Sequence, residues 1–206
     1  MSGSEDHTIK SWQVGGAGSW PCLGIIAAHT DVRSLVVWNG RVISGSDDKR
    51  IVVHSIASRQ HEATLRAHTR TVNELAVSGE KLYSASEDGT ICEWALGTWE
   101  RLRTIRVGEH VPDVSYPCSL AMSGSMLVCG GYRMNEANGF VLVLDTQNLR
   151  CEHTLLLDES VFYLLGLRGE VWGLLIRRVG DETKLDKVVV WGKVERAAGA
   201  SEAGRS

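Results

Sequence analysis

The 206-residue sequence has no apolar run longer than the seven residues Val161–Leu167. A membrane-spanning helix needs about 20, so no helical span is expected and no membrane partner. Basic charge is not in excess: 22 Lys+Arg stand against 25 Asp+Glu, a net charge of −3. The electrostatic footprint of a nucleic-acid-binding surface is missing, and no nucleic acid is expected as a partner. The start, Met1-Ser2-Gly3-Ser4-Glu5-Asp6, has neither the basic residues nor the apolar stretch of a secretory signal. Cysteines number five, and no two stand two to four residues apart. That argues against a disulfide framework and against a zinc site; reduced thiols in a cytosolic or nuclear protein are expected. Proline is scarce, with three residues, whereas glycine is 22 of 206. Many turns and short strands produce such a bias. An apolar fraction of 43% and a charged fraction of 23% are ordinary globular proportions and speak against wholesale disorder.

What is present is repetition. Ser2 to Trp12, Ser44 to His54 and Ser84 to Trp94 align, each with a small residue ten before the terminal Trp or His and an Asp (Asp6, Asp48, Asp88) six before it. Upstream lies a second shared block: Val32-Arg-Ser-Leu35, Val72-Asn-Glu-Leu75, Pro117-Cys-Ser-Leu120 and Val161-Phe-Tyr-Leu164. From its Leu to the next small residue (Ser44, Ser84, Cys129, Gly173) the distance is nine in all four cases. The overall period runs between 40 and 50 residues. Segments such as Val-Ile-Ser-Gly-Ser and Leu-Tyr-Ser-Ala-Ser read as short strands, and Asp-Asp-Lys and Glu-Asp-Gly as turns. No long 3.6-residue period is visible. The reading is all-β, with four strands per repeat: 31–37, 41–46, 50–55 and 61–66; then 71–77, 81–86, 90–95 and 101–106; then 116–122, 126–130, 139–144 and 151–157; and finally 161–166, 170–176 and 187–192.

These motifs resemble the WD-repeat (WD40) family of β-propellers, most closely from Ser44 to Trp94. The resemblance implies blades of four antiparallel strands (a to d, from the channel outward) around a central axis. The chain would be a partial arc of about four to five blades: a partial blade at 1–28, blades at 29–67, 68–107 and 108–157, an incomplete blade at 158–194 and a frayed tail at 195–206. Seventeen strands close no ring, so a fragment is expected, or a second chain supplying the rest; open strand edges would promote association. The resemblance also implies a hydrogen-bonded network of His before strand a, Ser in strand b, Asp in the b–c turn and Trp in strand c. The third blade offers His68, Ser84 or Ser86, Asp88 and Trp94. The second offers His29, Ser44 or Ser46 and Asp48, with His54 in place of Trp. The fourth keeps His110 and the fifth Trp191. Such a set satisfies buried polar groups, a structural rather than a catalytic role.

Other constellations read blandly. Gly15-Gly16-Ala17-Gly18 lacks the Lys and helix of a phosphate loop, and His54, His61 and His68 fall on different strands, so neither metal nor cofactor is expected. Ser123-Gly124-Ser125 is no nucleophile elbow. Trp38 and Trp99, in turns, are candidates for exposure. The b–c spacing grows by five residues near 132–138 and by eight near 177–186, which should enlarge one face of the arc. The expected function is a non-catalytic scaffold binding a protein or peptide on that face, through Arg33, Asp47, Arg70, Asn73, Glu87, Tyr132, Arg133 and Arg178. The wording of the repeats is also similar to propellers attached to ubiquitin-ligase and myosin-heavy-chain-kinase-type modules. That would make the chain a substrate-recognition part without its catalytic module; a fragment without independent function is the remaining alternative.

Overall fold

The computed structural model describes residues 1–13, 20–27, 29–112, 115–134, 139–158, 160–167, 170–179 and 182–193, with side chains as far as Val171 apart from 162, 167 and 170. Five antiparallel sheets follow one another along these residues. The first holds β1 (Ser2–Gly3), β2 (Thr8–Trp12) and β3 (Cys22–Ala27). The second holds β4 (Val32–Trp38), β5 (Arg41–Ser46), β6 (Arg50–Ser55) and β7 (His61–Arg66). The third holds β8 (Val72–Ser78), β9 (Lys81–Ser86), β10 (Thr90–Ala95) and β11 (Arg101–Arg106). The fourth holds β12 (Ser115–Ser123), β13 (Met126–Arg133), β14 (Gly139–Asp145) and β15 (Cys151–Leu157). The fifth holds β16 (Ser160–Leu167), β17 (Glu170–Val179) and β18 (Glu182–Lys193). A single 3₁₀ turn, Val107–Glu109, is the one helical element among the described residues. Within every sheet the strands pair in sequence order, and the first strands of successive sheets (β4, β8, β12, β16) pack against one another. That is the arrangement of propeller blades about an axis.

The nine-residue interval of the sequence is a hairpin register. Leu35 pairs with Ser44, Leu75 with Ser84, Leu120 with Cys129 and Leu164 with Gly173. The small residue that follows is a packing socket. A Cβ on Gly3, Gly45 or Gly130 would come within 2.5, 2.7 or 2.5 Å of the Cγ1 of Val32, Val72 or Val161, the valine of the next sheet. Close approach of successive sheets therefore needs the missing side chain.

Burial falls from the middle of each sheet outward. In β5, β6, β9, β10, β13 and β14 nearly every residue is buried, because neighbouring sheets cover both faces. The outermost strands β7 and β11 are largely exposed. Burial of the apolar side chains supplies most of the driving force, roughly 25 cal/mol per Å² removed from water. Trp38 and Trp99 do not project into solvent as expected. They meet edge to face at 5.9 Å and pack on the core between the second and third sheets. The added residues of the fifth sheet also differ from expectation: Arg177–Lys184, Arg178–Thr183 and Val179–Glu182 continue the β17–β18 ladder, so the hairpin lengthens instead of forming a loop. Residues 15–18, 135–138 and 195–206 lie outside the described residues.

Candidate functional site

The His–Ser–Asp–Trp set assembles in the third sheet. Trp94 Nε1 donates to Ser84 Oγ at 2.9 Å, and Ser84 Oγ lies 2.7 Å from His68 Nε2. His68 Nδ1 lies 3.1 Å from the Asp88 carboxylate, which also accepts from the backbone N–H of Thr69 and Thr90 and from the Thr90 hydroxyl. Burial is the largest influence on His68 and opposes its charge, but the hydrogen bonds and charges of Asp88 and Cys92 together outweigh it and push the pKa up to about 9. Burial likewise opposes the Asp88 charge, yet His68 and Thr90 hold that carboxyl well below its usual range. Ser86 serves elsewhere, donating to Arg70 O at 3.2 Å and accepting from Asp88 N–H.

The second sheet has a modified set. His29 bridges Asp48 at 3.0 Å and Ser44 at 2.8 Å. His54 occupies the Trp position, stacks edge to face on His61, and keeps a buried Nδ1 that has no hydrogen-bond partner among the described residues. Arg50 stands where the third sheet has Thr90 and grips Asp48 at 2.5 and 2.9 Å. Here burial dominates, with the Arg50 charge adding to it, and the His29 pKa is lowered. The first sheet keeps a remnant, Trp12 Nε1 donating to Ser2 Oγ at 2.9 Å. In the fourth sheet Cys129 and Leu144 take the network positions inside an apolar core, and the backbone N–H of His110 closes the 3₁₀ turn. The Trp191 side chain lies outside the described residues. In the second and third sheets the His–Ser–Asp links join the b–c turn to the segment before strand a and satisfy buried polar groups, apart from His54 Nδ1.

A second feature was not visible in the sequence. Each innermost strand is bulged at one place, between Val32 and Ser34, Val72 and Glu74, Pro117 and Ser119, and Val161 and Tyr163. A bulge re-aims its extra residue, and Arg33, Asn73 and Cys118 at these bulges line an axial cavity of about 490 Å³. Glu5, Glu74, Glu87, Tyr132 and Tyr163 share that cavity. The residues just after the bulges form a belt. The backbone N–H of Leu75 donates to Ser34 Oγ (3.1 Å), the Ser34 hydroxyl donates to Glu74 Oε1 (2.5 Å), Ser119 hydrogen-bonds the same carboxyl, and Leu164 N–H donates to Ser119 Oγ (2.9 Å). Four successive sheets are thereby linked. Burial raises the Glu74 pKa. Burial also pushes the Cys118 thiol up to about 12, so it lines the cavity as a neutral thiol and not as a nucleophile.

The eight surface residues singled out from the sequence separate. Arg33 and Asp47 form a two-pronged pair at 2.6 Å each, which lowers the Asp47 pKa. Asn73 donates its amide to Pro117 O at 2.9 Å, across to the next sheet. Glu87 faces Arg70 at 3.7 Å, and the Arg70 guanidinium lies 5.5 Å over the Tyr116 ring. Tyr132 stacks on Tyr116 at 5.2 Å. Arg33, Asn73, Glu87 and Tyr132 thus meet at one cavity, with Asp47 and Arg70 beside it. Arg133 does not join them: it is buried, 7% exposed, and a protein partner on the surface would not reach it. The Arg178 side chain lies outside the described residues. Tyr116, which sequence reasoning passed over, anchors the aromatic side of the group; its position near the start of a repeat was the only signal. Among the described residues no group of His, Cys, Asp and Glu could hold a metal ion.

Comparison with known proteins agrees with this geometry. The family described as WD domain, G-beta repeat matches residues 59–95, the span from the second c–d turn to the Trp94 strand. An uncharacterized WD repeat-containing protein of Schizosaccharomyces pombe is 26% identical over 165 residues, covering 78% of this chain and 38% of its own. A p21-activated protein kinase-interacting protein 1-like protein of Gallus gallus is 34% identical over 91 residues, covering 43% of this chain and 25% of its own. The chain thus spans well under half the length of these curated relatives. Among solved structures, the computationally designed Ika8 protein superposes with a TM-score of 0.70 at 23% identity, covering 92% of this chain and 54% of that one, a likeness of fold alone. Repeat period, hairpin register, His–Ser–Asp–Trp set and these matches converge: the chain has the blade architecture of a β-propeller, carries a WD repeat at residues 59–95 and is similar to WD-repeat proteins.

Proposed function

We propose that this chain is a non-catalytic platform that binds a protein or peptide on the face carrying the b–c turns and the segments before strand a. The reading rests on one observation above others: recurrent bulges turn Arg33 and Asn73 toward the cavity that Glu87 and Tyr132 also line. Charge and aromatic surface at a concave site are what a partner's side chains recognise. The titratable groups nearby are held in mutual pairs or kept neutral by burial, the state of a scaffold and not of an acid–base centre. Reversing Arg33→Glu, Asp47→Arg and Glu87→Arg together preserves the Arg33–Asp47 pairing with exchanged ends, so the thermal midpoint should move by less than about 2 °C. The set of proteins co-purifying with the full chain should change. An unaltered set, at unaltered stability, overturns the assignment of this face.

A further inference from the structure

Between the third and fourth sheets, on the same face, lies a second cleft of about 410 Å³. Its walls are Arg70, Glu87, Asp88, Thr90, Arg106 and Tyr116, with the backbone of Gly108 and Ser115 at its edge. The charges in it do not cancel. Asp88 already accepts four hydrogen bonds, from His68 Nδ1, Thr69 N–H, Thr90 N–H and the Thr90 hydroxyl. A carboxylate has about four acceptor positions, so Asp88 has none left for a cation. Its charge is matched by the buried His68, which favours the protonated form. Glu87 faces Arg70 at 3.7 Å. Arg106 is exposed and has no counter-ion among the described residues. Meanwhile the Arg70 guanidinium is positioned by the Tyr116 ring at 5.5 Å and by the Tyr116 hydroxyl at 3.4 Å. One guanidinium is thus held in place, a second is unneutralised, and both line a concave site large enough for a side chain and its flanks.

We propose that this cleft binds an oxyanion side chain, carboxylate or phosphate, of the peptide segment that docks on the platform face. The inference rests on the platform reading and names the chemistry of its partner. Arginine is suited to both ligands because its planar fork meets two oxygens at once. Glu87 is then a specificity gate: its carboxylate competes with the ligand for Arg70.

The test uses the isotopically labelled full chain and three acetylated, amidated tripeptides: Gly-phosphoserine-Gly, Gly-Asp-Gly and Gly-Ser-Gly. Backbone amide shifts of Gly89, Gly108 and Tyr116 report occupancy. The phosphorylated or the acidic peptide should move them saturably, and the serine control should not. Arg106→Gln should weaken the affinity about fivefold and Glu87→Gln should strengthen it about twofold. Tighter binding of the phosphorylated peptide assigns the site to phosphate, and equal binding assigns it to carboxylate as well. No saturable shift at the cleft, equal shifts with the serine control, or affinities indifferent to both substitutions overturn the proposal. No partner protein takes part, so this failure is distinct from an unaltered co-purifying set after the triple reversal.

Discussion

At the residue scale, Glu74 is the most consequential side chain that repetition alone did not mark. It occupies the position held by Ser34 and Ser119 in the neighbouring strands, and its carboxyl joins the two serines across three sheets. Burial raises its pKa, so the neutral acid is the form the fold prefers. Its contribution to stability is therefore fully present below the ordinary glutamate range and is lost as pH rises through the raised value. Glu74→Gln keeps the acceptor for Ser34 and Leu75 while removing the desolvated charge. At neutral pH the variant should melt about 2 °C higher than the parent, and the gain should vanish at acidic pH. A lower midpoint at neutral pH, read by calorimetry, would show that the ionised carboxylate is what the belt requires. His29 and His68 teach a related lesson. Both lie in the same motif, yet the Arg50–Thr90 difference beside their aspartates accompanies opposite displacements of the imidazole pKa.

At the element scale, turns repeat as faithfully as strands. In the b–c turns His7, Lys49 and Gly89 occupy one position, with φ of 64°, 71° and 80°. Only glycine adopts this left-handed region without cost; other residues lose roughly 1 kcal/mol there. Lys49 is exposed and its turn is otherwise that of the third sheet. Lys49→Gly should raise unfolding stability by about 0.5 kcal/mol, the relief of strain exceeding the added chain entropy. A denaturant midpoint at or below the parent's would mean that the lysine side chain contributes more than its backbone costs. The c–d turns are also a recurrent unit: Arg59, Trp99 and Leu149 each donate a backbone N–H to the carbonyl four residues earlier, and each has a φ near 60°. Nothing in the identities Arg, Trp and Leu announces that conformation. The strands were more legible, and β5 to β11 lie within a residue or two of the spans read from the sequence. Alternating buried and turn-forming residues specify a hairpin locally, and register follows from the two-residue turns.

At the scale of the whole molecule, the first and last described sheets each have three strands and each leave a partly apolar face uncovered. Leu23 and Ile25 are 55% and 54% exposed on the first; Tyr163 and Leu165 are 62% and 60% exposed on the last. The inner sheets bury the counterparts of Tyr163 and Leu165 (Ser119 and Ala121, for example) against a neighbour, so water contact on the last sheet is costly. Leu23 and Ile25 instead add apolar surface on an outermost strand, of a kind that is exposed in the inner sheets too. Self-association of the chain in solution should therefore rise with concentration, and Ile25→Lys with Leu165→Lys should shift the sedimentation profile toward the monomer. A parent chain that sediments as a monomer across the concentration range would show that these faces are tolerated in water.

The repeating sequence by itself marked the strands, the nine-residue hairpin interval and the turns between b and c, because each depends on residues close in the chain. The strand order and the His68–Ser84–Asp88–Trp94 set were legible only through the resemblance to WD-repeat propellers. The tertiary structure decided what the repeats do to one another. That Gly45 receives Val72, that bulges turn Arg33 and Asn73 to an axial cavity, that Glu74 bonds to serines about 40 residues before and after it, and that Arg133 is buried are outcomes of sheet against sheet. Such contacts arise only when separate repeats pack side by side, and no single period of the sequence encodes the neighbour's shape or charge.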